Sequence, residues 1–286
     1  MRGDHGTGVA CVILSYGSEP GLLESIESIR SQDVPADEII LVHSGSHDPR
    51  SSLQRAGIEI PLHVSDKRLS TGAARNVGIR RTQSPIVAFL AADCQAAPGW
   101  IANRLRHHVR HEAVASAMRP LNGDPLTVAY HAYRFATRDP EVVPDLRKRY
   151  GVSYRREVFD RFGMFSFELY YGEDTEFIDR ISSEIEVAWA PDVVTFHRPP
   201  DSVVAQCIQI SKQIRRRKWY LRQTAGGYSL RQLVGEALFR IRAGRGVRSR
   251  ERKRSLWFRM KVAAFLWTFI GTEIMCVFLI RPALDG

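Results

Sequence analysis

Apolar residues along this chain fall into two rhythms. Val9-Ala-Cys-Val-Ile-Leu14, Glu38-Ile-Ile-Leu-Val-His43 and Pro85-Ile-Val-Ala-Phe-Leu-Ala-Ala-Asp93 are short, almost unbroken apolar runs, the pattern of strands covered on both faces within a parallel sheet. Between them Leu22, Leu23, Ile26 and Ile29 repeat at helical spacing, and Thr71 to Arg81 reads as a second helix. Ile58 to Val64 supplies a third strand, and turn formers such as Ser15-Tyr-Gly-Ser-Glu-Pro20 punctuate the joins. This alternation over roughly 90 residues predicts an α/β domain with a Rossmann-like, mostly parallel sheet and flanking helices. Such sheets bind ligands beyond the carboxyl ends of their strands. Ser15–Gly17, His43–Ser46 and Asp93 are therefore expected to line one crevice.

Further on, the pattern changes. Leu121 to Tyr150 is rich in Pro, Arg and Asp and reads as a long loop with a helical turn. Order returns at Gly151–Gly163, followed by an aromatic stretch (Met164 to Tyr171), the acidic run Gly172-Glu-Asp-Thr-Glu-Phe-Ile-Asp-Arg180 and a short strand at Val187–Ala190. Val203 to Gln223 and Ser229 to Ile241 read as helices, and Gly244, Gly246 and Arg248–Arg254 as a linker. Val262 to Ile280 is 19 residues long with one charge, Glu273. As a helix it reaches about 28 Å, close to the hydrocarbon thickness of a bilayer. A mid-span carboxylate is costly in hydrocarbon. A helix lying in the interface, or a buried helix of the soluble domain, stays open beside a spanning one.

Composition sharpens this. Apolar residues at 44% and charged residues at 25% describe an ordinary globular chain and exclude collagen-like, low-complexity and wholly disordered classes. The net charge of +10 is unevenly placed: residues 202–261 hold 17 Lys/Arg against 2 Asp/Glu, whereas residues 1–201 hold 23 against 27. A mildly acidic body with a basic, then apolar, tail points to an anionic membrane surface as partner, with no nucleic acid expected because interleaved aromatics are few. The tail reads as a detachable anchor, so that deleting 255–286 is expected to leave 1–240 folded. Four widely spaced cysteines exclude a disulfide framework or zinc ribbon and suit a reducing cytoplasm. The first apolar run is too short for a signal peptide.

Several residues are candidates for chemistry. Asp93, at a strand's carboxyl end, is placed either to hold a hard cation or to stabilise a turn. Glu173 and Asp174 open a helix, where they complement its dipole or supply a general base whose pKa the aromatic lead-in raises. Asp179 and Arg180 read as an exposed helix face. His197 becomes a metal ligand only where the fold brings it to Asp93. His107, His108 and His111 share a basic helix with Arg104, Arg106 and Arg110, without acidic companions on it, and read as solvated surface. Thr71-Gly-Ala-Ala-Arg-Asn-Val-Gly78 offers free helix N–H groups and Arg75 to a phosphate. It is neither G-x-G-x-x-G nor Walker A, which argues against nicotinamide enzymes and P-loop ATPases.

Taken in order, the Ser-Tyr-Gly loop, Ile-Ile-Leu-Val-His-Ser-Gly-Ser, Gly-Ala-Ala-Arg-Asn-Val-Gly, Phe-Leu-Ala-Ala-Asp-Cys and Gly-Glu-Asp-Thr-Glu-Phe resemble the family 2 glycosyltransferases of the GT-A fold, over roughly residues 8 to 200. The resemblance implies a nucleotide-sugar donor, a glycan or lipid-linked acceptor, transfer with inversion, and a divalent Mn²⁺ or Mg²⁺ ion. It assigns Ser15, Tyr16, Gly17, Ser44, Arg75 and Asp93 to the donor, Asp93 and His197 to the metal, and Asp174 with Glu173 to catalysis. Ala91 stands where the family has the first Asp of its Asp-x-Asp, and His43-Ser44 replace the usual acidic pair after the second strand. A catalytically silent, nucleotide-sugar-binding or scaffold module is the alternative that Ala91 motivates. Gln213-Ile-Arg-Arg-Arg-Lys-Trp219 has the wrong spacing for the Gln-x-x-Arg-Trp of polysaccharide synthases, and Arg215–Arg217 are read as phosphate-binding or solvated. The expected organisation is a GT-A domain over 1–200 (donor half about 8–120, acceptor half about 121–200). A basic helical extension (201–247) follows, then a linker with a membrane-associating helix (248–286), at the cytoplasmic face of the cell membrane.

Overall fold

The structure, a computed structural model, describes residues 8–17, 20–139, 151–225 and 253–279, with Gly235, Leu238 and Phe239 besides. The three apolar runs are strands β1 (Val9–Tyr16), β2 (Glu38–Ser44) and β4 (Ile86–Ala91), and β3 (Leu62–Ser65) joins them at the edge. These four lie parallel in the order β3-β2-β1-β4, with Leu14 level with both Val42 and Ala91. The inner strands are covered on both faces because helices α1 (Leu22–Arg30), α2 (Arg50–Arg55) and α3 (Thr71–Arg80) make the crossovers, while α4 (Trp100–His108) follows the next strand. Strands β5 (Cys94–Ala96), β6 (Ala113–Pro120), β7 (Val152–Arg155) and β8 (Val187–His197) complete an eight-stranded sheet, order β3-β2-β1-β4-β7-β6-β8-β5. This second half departs from the parallel expectation. β7 runs antiparallel to β4 and β6, and β5 antiparallel to β8.

Helices α6 (Arg156–Phe162) and α7 (Glu173–Ile181) cover the sheet beside β7. Between them and the sheet Phe89, Tyr154, Phe159, Phe165 and Phe177 form one aromatic cluster, with Phe165 and Phe177 centroids 4.6 Å apart and Tyr154 edge-on to Phe177 at 5.2 Å. Part of the aromatic lead-in therefore builds core, while Phe167 and Tyr170 are exposed.

The histidine-rich helix is not the solvated surface expected of it. Arg104 and His108 are buried at 0% and 1% exposure. The Arg104 guanidinium lies 3.9 Å from the Trp100 ring centroid and donates to Ser153 Oγ (2.6 Å) and the Gly151 carbonyl (3.0 Å). His108 Nδ1 meets the His111 carbonyl at 2.9 Å and so carries the proton, which leaves Nε2 to accept from Ser153 Oγ at 2.8 Å. Burial pushes its pKa down to about 3. His107 also has an acidic companion, Asp192, 2.7 Å away in space and 85 residues away in sequence. On α7, Asp179 is exposed as expected but Arg180 is not. It pairs with Glu176 at 2.9 Å and donates to the carbonyls of Phe162 and Met164.

The chain divides into two compact units, Met1–Met118 with Pro144–His197, and Arg119–Val143 with Arg198–Gly286. The segment read as a loop from Leu121 holds a ten-residue helix, α5 (Pro125–Arg134), in the second unit. Asp124 caps it, accepting from Leu126 and Thr127 N–H at 2.9 and 3.0 Å, and Pro125 takes the first turn. The same unit contains α8 (Val203–Ala225) and α9 (Leu256–Leu279). Tyr130 meets Phe269 of α9 edge-on at 5.9 Å, Tyr133 packs tilted against the same ring at 6.0 Å, and Tyr133 Oη donates to Glu273 at 3.0 Å. The one charge in the apolar tail is thus buried at 5% exposure with a partner. The expected helix at 229–241 and linker at 244–254 lie almost wholly outside the described residues.

Candidate active site

The carboxyl ends of β1, β2 and β4 meet at one edge, held by backbone bonds from Gly17 N–H to the Ser44 carbonyl (3.0 Å) and from Ala92 N–H to the Leu14 carbonyl (2.9 Å). Sheet order reverses here, since β2 and β4 flank β1 on opposite sides. That makes it the switch point where a ligand crevice opens. Of the residues expected there, Ser15 and Ser44 are buried at 8% and 4%, and His43 is fully covered. Ser15 Oγ lies 3.0 Å from His43 Nδ1, so this pair stiffens the floor. Tyr16 is 48% exposed, and the Arg68 guanidinium lies 4.6 Å over its ring. Arg68 was not singled out from the sequence, although its position just past a parallel strand is where such a cation belongs.

Asp93 occupies the turn between β4 and β5. The antiparallel pairing of β5 with β8 sets Cys94 opposite His197, which brings His197 Nε2 to 3.5 Å from Asp93 Oδ2. The condition set for a metal role, proximity of these two residues, is met. Among the described residues no three His, Cys, Asp or Glu side chains converge. One carboxylate and one imidazole suit a divalent cation only when a donor diphosphate brings further oxygens, because Mn²⁺ and Mg²⁺ need a fuller oxygen shell.

The second acidic station is the start of α7. Gly172 sits at φ 85°, a left-handed conformation that favours glycine, and turns the chain so that Glu173 and Asp174 open the helix. Two residues of α3 and its cap, Ser70, position this turn. Ser70 Oγ donates to the Phe167 carbonyl at 2.9 Å, and Asn76 bonds both the carbonyl and the N–H of Phe165, at 2.8 and 3.1 Å. Arg75, between them, donates to Glu173 Oε1 at 2.9 Å, with side chains only 14% and 8% exposed. Its guanidinium stacks over Phe165 at 5.0 Å and Phe89 of β4 at 5.5 Å. Asp174 is half-buried and accepts from Thr175 N–H at 2.8 Å. The Gly-Ala-Ala-Arg-Asn segment therefore acts as a clamp on the acidic turn, joining residues 98 apart.

A switch-point crevice with one acidic station on the β4–β5 turn and another on α7 defines a GT-A glycosyltransferase. Residues 10–170, more than half of the chain, match Glycosyl transferase family 2, and the chain belongs to that family. The uncharacterized glycosyltransferase YwdF of Bacillus subtilis (strain 168) is 25% identical over 240 residues, 79% of this chain and 85% of that one. Glycosyltransferase AglE of Haloferax volcanii is 27% identical over 99 residues, 32% of this chain and only 33% of its own length. Among solved structures, mannosyltransferase PcManGT from Pyrobaculum calidifontis, in complex with GDP-Man and Mn²⁺, superposes with a TM-score of 0.61 at 16% identity, covering 94% of this chain and 85% of that one. The S. aureus TarS fragment 1–349 with UDP-GlcNAc gives 0.53 at 14%, covering 94% and 91%. The chain is a nucleotide-sugar-dependent glycosyltransferase.

Proposed function

We propose that the chain transfers a glycosyl unit from a nucleoside-diphosphate sugar to a hydroxyl of a cell-envelope glycan or lipid-linked acceptor, with inversion, at the cytoplasmic face of the membrane. The observation that carries this reading is the division of labour within the acidic station at the start of α7. Glu173 is committed to Arg75, whereas the Asp174 carboxylate beside it keeps accepting capacity for a substrate proton. In the reaction Asp174 takes the acceptor hydroxyl proton as that oxygen bonds the anomeric carbon. The bond from that carbon to the diphosphate breaks, and its electron pair leaves on the phosphate oxygen. Glu173 and Arg75 act by fixing the turn from which Asp174 projects. Asp93 and His197 are the residues that would hold a Mn²⁺ or Mg²⁺ ion, which when bound neutralises the departing diphosphate. Tyr16, Gly17 and Ser44 form the donor's edge, and Arg68 adds a cation there. The relatives' donors, GDP-Man and UDP-GlcNAc, set the first choices for a donor panel.

One experiment tests this. Nucleotide-sugars are screened for thermal stabilisation and slow hydrolysis with Mn²⁺, Mg²⁺ or EDTA, and the best donor is used to compare wild type with Asp174→Asn. Turnover is expected to fall by ~10²-fold or more in the variant, with donor affinity nearly intact. Wild-type rates in Asp174→Asn sink the base assignment, and an equal loss of donor binding moves Asp174 to the donor site.

A further inference from the structure

Helix α9 is apolar over most of its surface, yet only one side of it is used. Val262, Leu266, Phe269, Ile270 and Cys276 face α5 and α8 and are buried. On the opposite side Trp257, Met260, Trp267, Ile274 and Met275 are 65%, 54%, 59%, 45% and 61% exposed. At helical geometry these positions make one continuous stripe about 27 Å long. A soluble monomer rarely leaves such a stripe to water.

Charge decides what covers it. Residues 202–261 hold 17 Lys/Arg against 2 Asp/Glu, so a second copy would oppose this surplus with its own, whereas anionic headgroups complement it. At the amino end of the stripe, Lys261 Nζ lies 5.1 Å from the Trp257 ring centre and the Arg254 guanidinium 5.3 Å from that of Phe258. Aromatic rings with long cations beside them are the chemistry of a bilayer's headgroup region.

Packing decides how α9 meets the lipid. By length, Leu256–Val277 is sufficient to cross a bilayer. Its inner side, however, is occupied. Thr272 bonds Cys207 and Ser211 bonds Cys276, both at a separation of 65, so α8 runs in the same direction as α9 with that offset. On this register Val203, which begins α8 shortly after β8, lies beside Thr268, midway along α9. A perpendicular α9 would sink that junction, with Asp201 next to it, into mid-bilayer. It would also send Lys212 and Arg215–Lys218 across to the side opposite Arg254, Arg259 and Lys261, giving the span cations at both ends. A flat α9 meets neither obstacle.

We propose that α9 is a monotopic anchor. It lies in the plane of an anionic bilayer's interface, with the Trp257–Met275 stripe toward the acyl chains and α5 and α8 on the aqueous side. The inference rests on the membrane reading above and specifies its mode. The test uses the full-length protein with vesicles of phosphatidylcholine alone or with a quarter phosphatidylglycerol. A fluorescent residue is placed singly at positions 257, 260, 264, 267, 271 and 275, and quenching by lipids brominated at graded depths is read. We expect binding at least roughly tenfold tighter to the anionic vesicles, only partly released by salt, and one shared shallow depth for all six positions. Trp267→Glu combined with Met260→Glu should cost on the order of a hundredfold in vesicle binding while hydrolysis of a soluble donor is unchanged. A depth that is greatest at 267 and falls toward both ends overturns the in-plane anchor and leaves the membrane reading standing. Folded, donor-binding protein that ignores both vesicle types overturns both. Lipid-free dimerisation that buries the six positions replaces the bilayer with a second copy and overturns the proposal.

Discussion

His108 shows how much a single residue's meaning depends on what covers it. Its imidazole is neutral in the fold, held by Ser153 and the His111 carbonyl, and burial lowers its pKa to about 3. In the unfolded chain the same group titrates near ~6.5. Between these values the unfolded state binds one more proton than the folded state. The stability due to His108 is therefore complete above pH ~6.5 and is lost as pH falls toward 3, at about 1.4 kcal/mol per pH unit for one proton. Burial lowers the pKa of His43 too, so it acts in the same direction. We expect denaturant midpoints of wild type to fall steadily from pH 6.5 to 4, and His108→Gln to remove about one proton's worth of that slope. An unchanged slope would show that His108 is reached by water. Nothing in the local sequence distinguishes His108 from its exposed neighbours, because the strands that cover it, β6 and β7, are closed by long-range pairing. The Arg75–Glu173 pair was hidden for the same reason. Both residues stand out locally, one in a helix with small neighbours and one at a helix start, but the bond between them spans 98 positions. Asp93 and His197 were more legible, since a carboxylate at a strand end stands out, and the condition stated for His197, proximity to Asp93, is met by the β5–β8 register.

At the scale of elements, continuous apolar runs gave away β1, β2 and β4 because strands buried on both faces have no polar face to display. α5 escaped for the converse reason. Every residue from Thr127 to Tyr133 is buried, so no 3.6-residue rhythm shows, and only the Asp124-Pro125 start marked it. α3 was found, but its small residues have a use that periodicity does not reveal. A Cβ at Gly78 would run into the Val12 side chain, so glycine is what lets α3 lie close enough to β1 for Arg75 and Asn76 to reach the acidic turn. Gly78→Ala should therefore lose about 1–3 kcal/mol in denaturant unfolding, despite alanine's better helix propensity. Adding Val12→Ala should recover part of that loss if the clash is its cause. Additive losses in the double variant would place the strain elsewhere.

At the scale of the whole molecule, the tail read from sequence as a detachable anchor is built into its unit. α9 supplies Phe269, against which Tyr130 and Tyr133 of α5 pack, and Glu273, which accepts from Tyr133. Lys218 of α8 also reaches the carbonyls of Cys276 and Val277. Removing 255–286 therefore uncovers α5 and α8 rather than trimming a loose end, and these contacts argue against the expectation that 1–240 would fold undisturbed. α5 is inserted between β6 and β7 in sequence, so the damage enters the middle of the chain. The sheet unit keeps its own aromatic core around Phe165 and Phe177, which owes nothing to α9. We expect the truncated protein to show two events where the full chain shows one. Residues 119–139 and 203–225 should become sensitive to protease and exchange amide hydrogens quickly at temperatures where the sheet is still protected. Tyr133→Phe in the full chain should reproduce a small part of this, because it removes the Tyr133 Oη hydrogen bond to the buried Glu273, at about 1–3 kcal/mol. Hydrogen exchange read by mass spectrometry on both variants decides the matter: protection of 125–134 that survives the loss of α9 would return the tail to the status of a removable anchor.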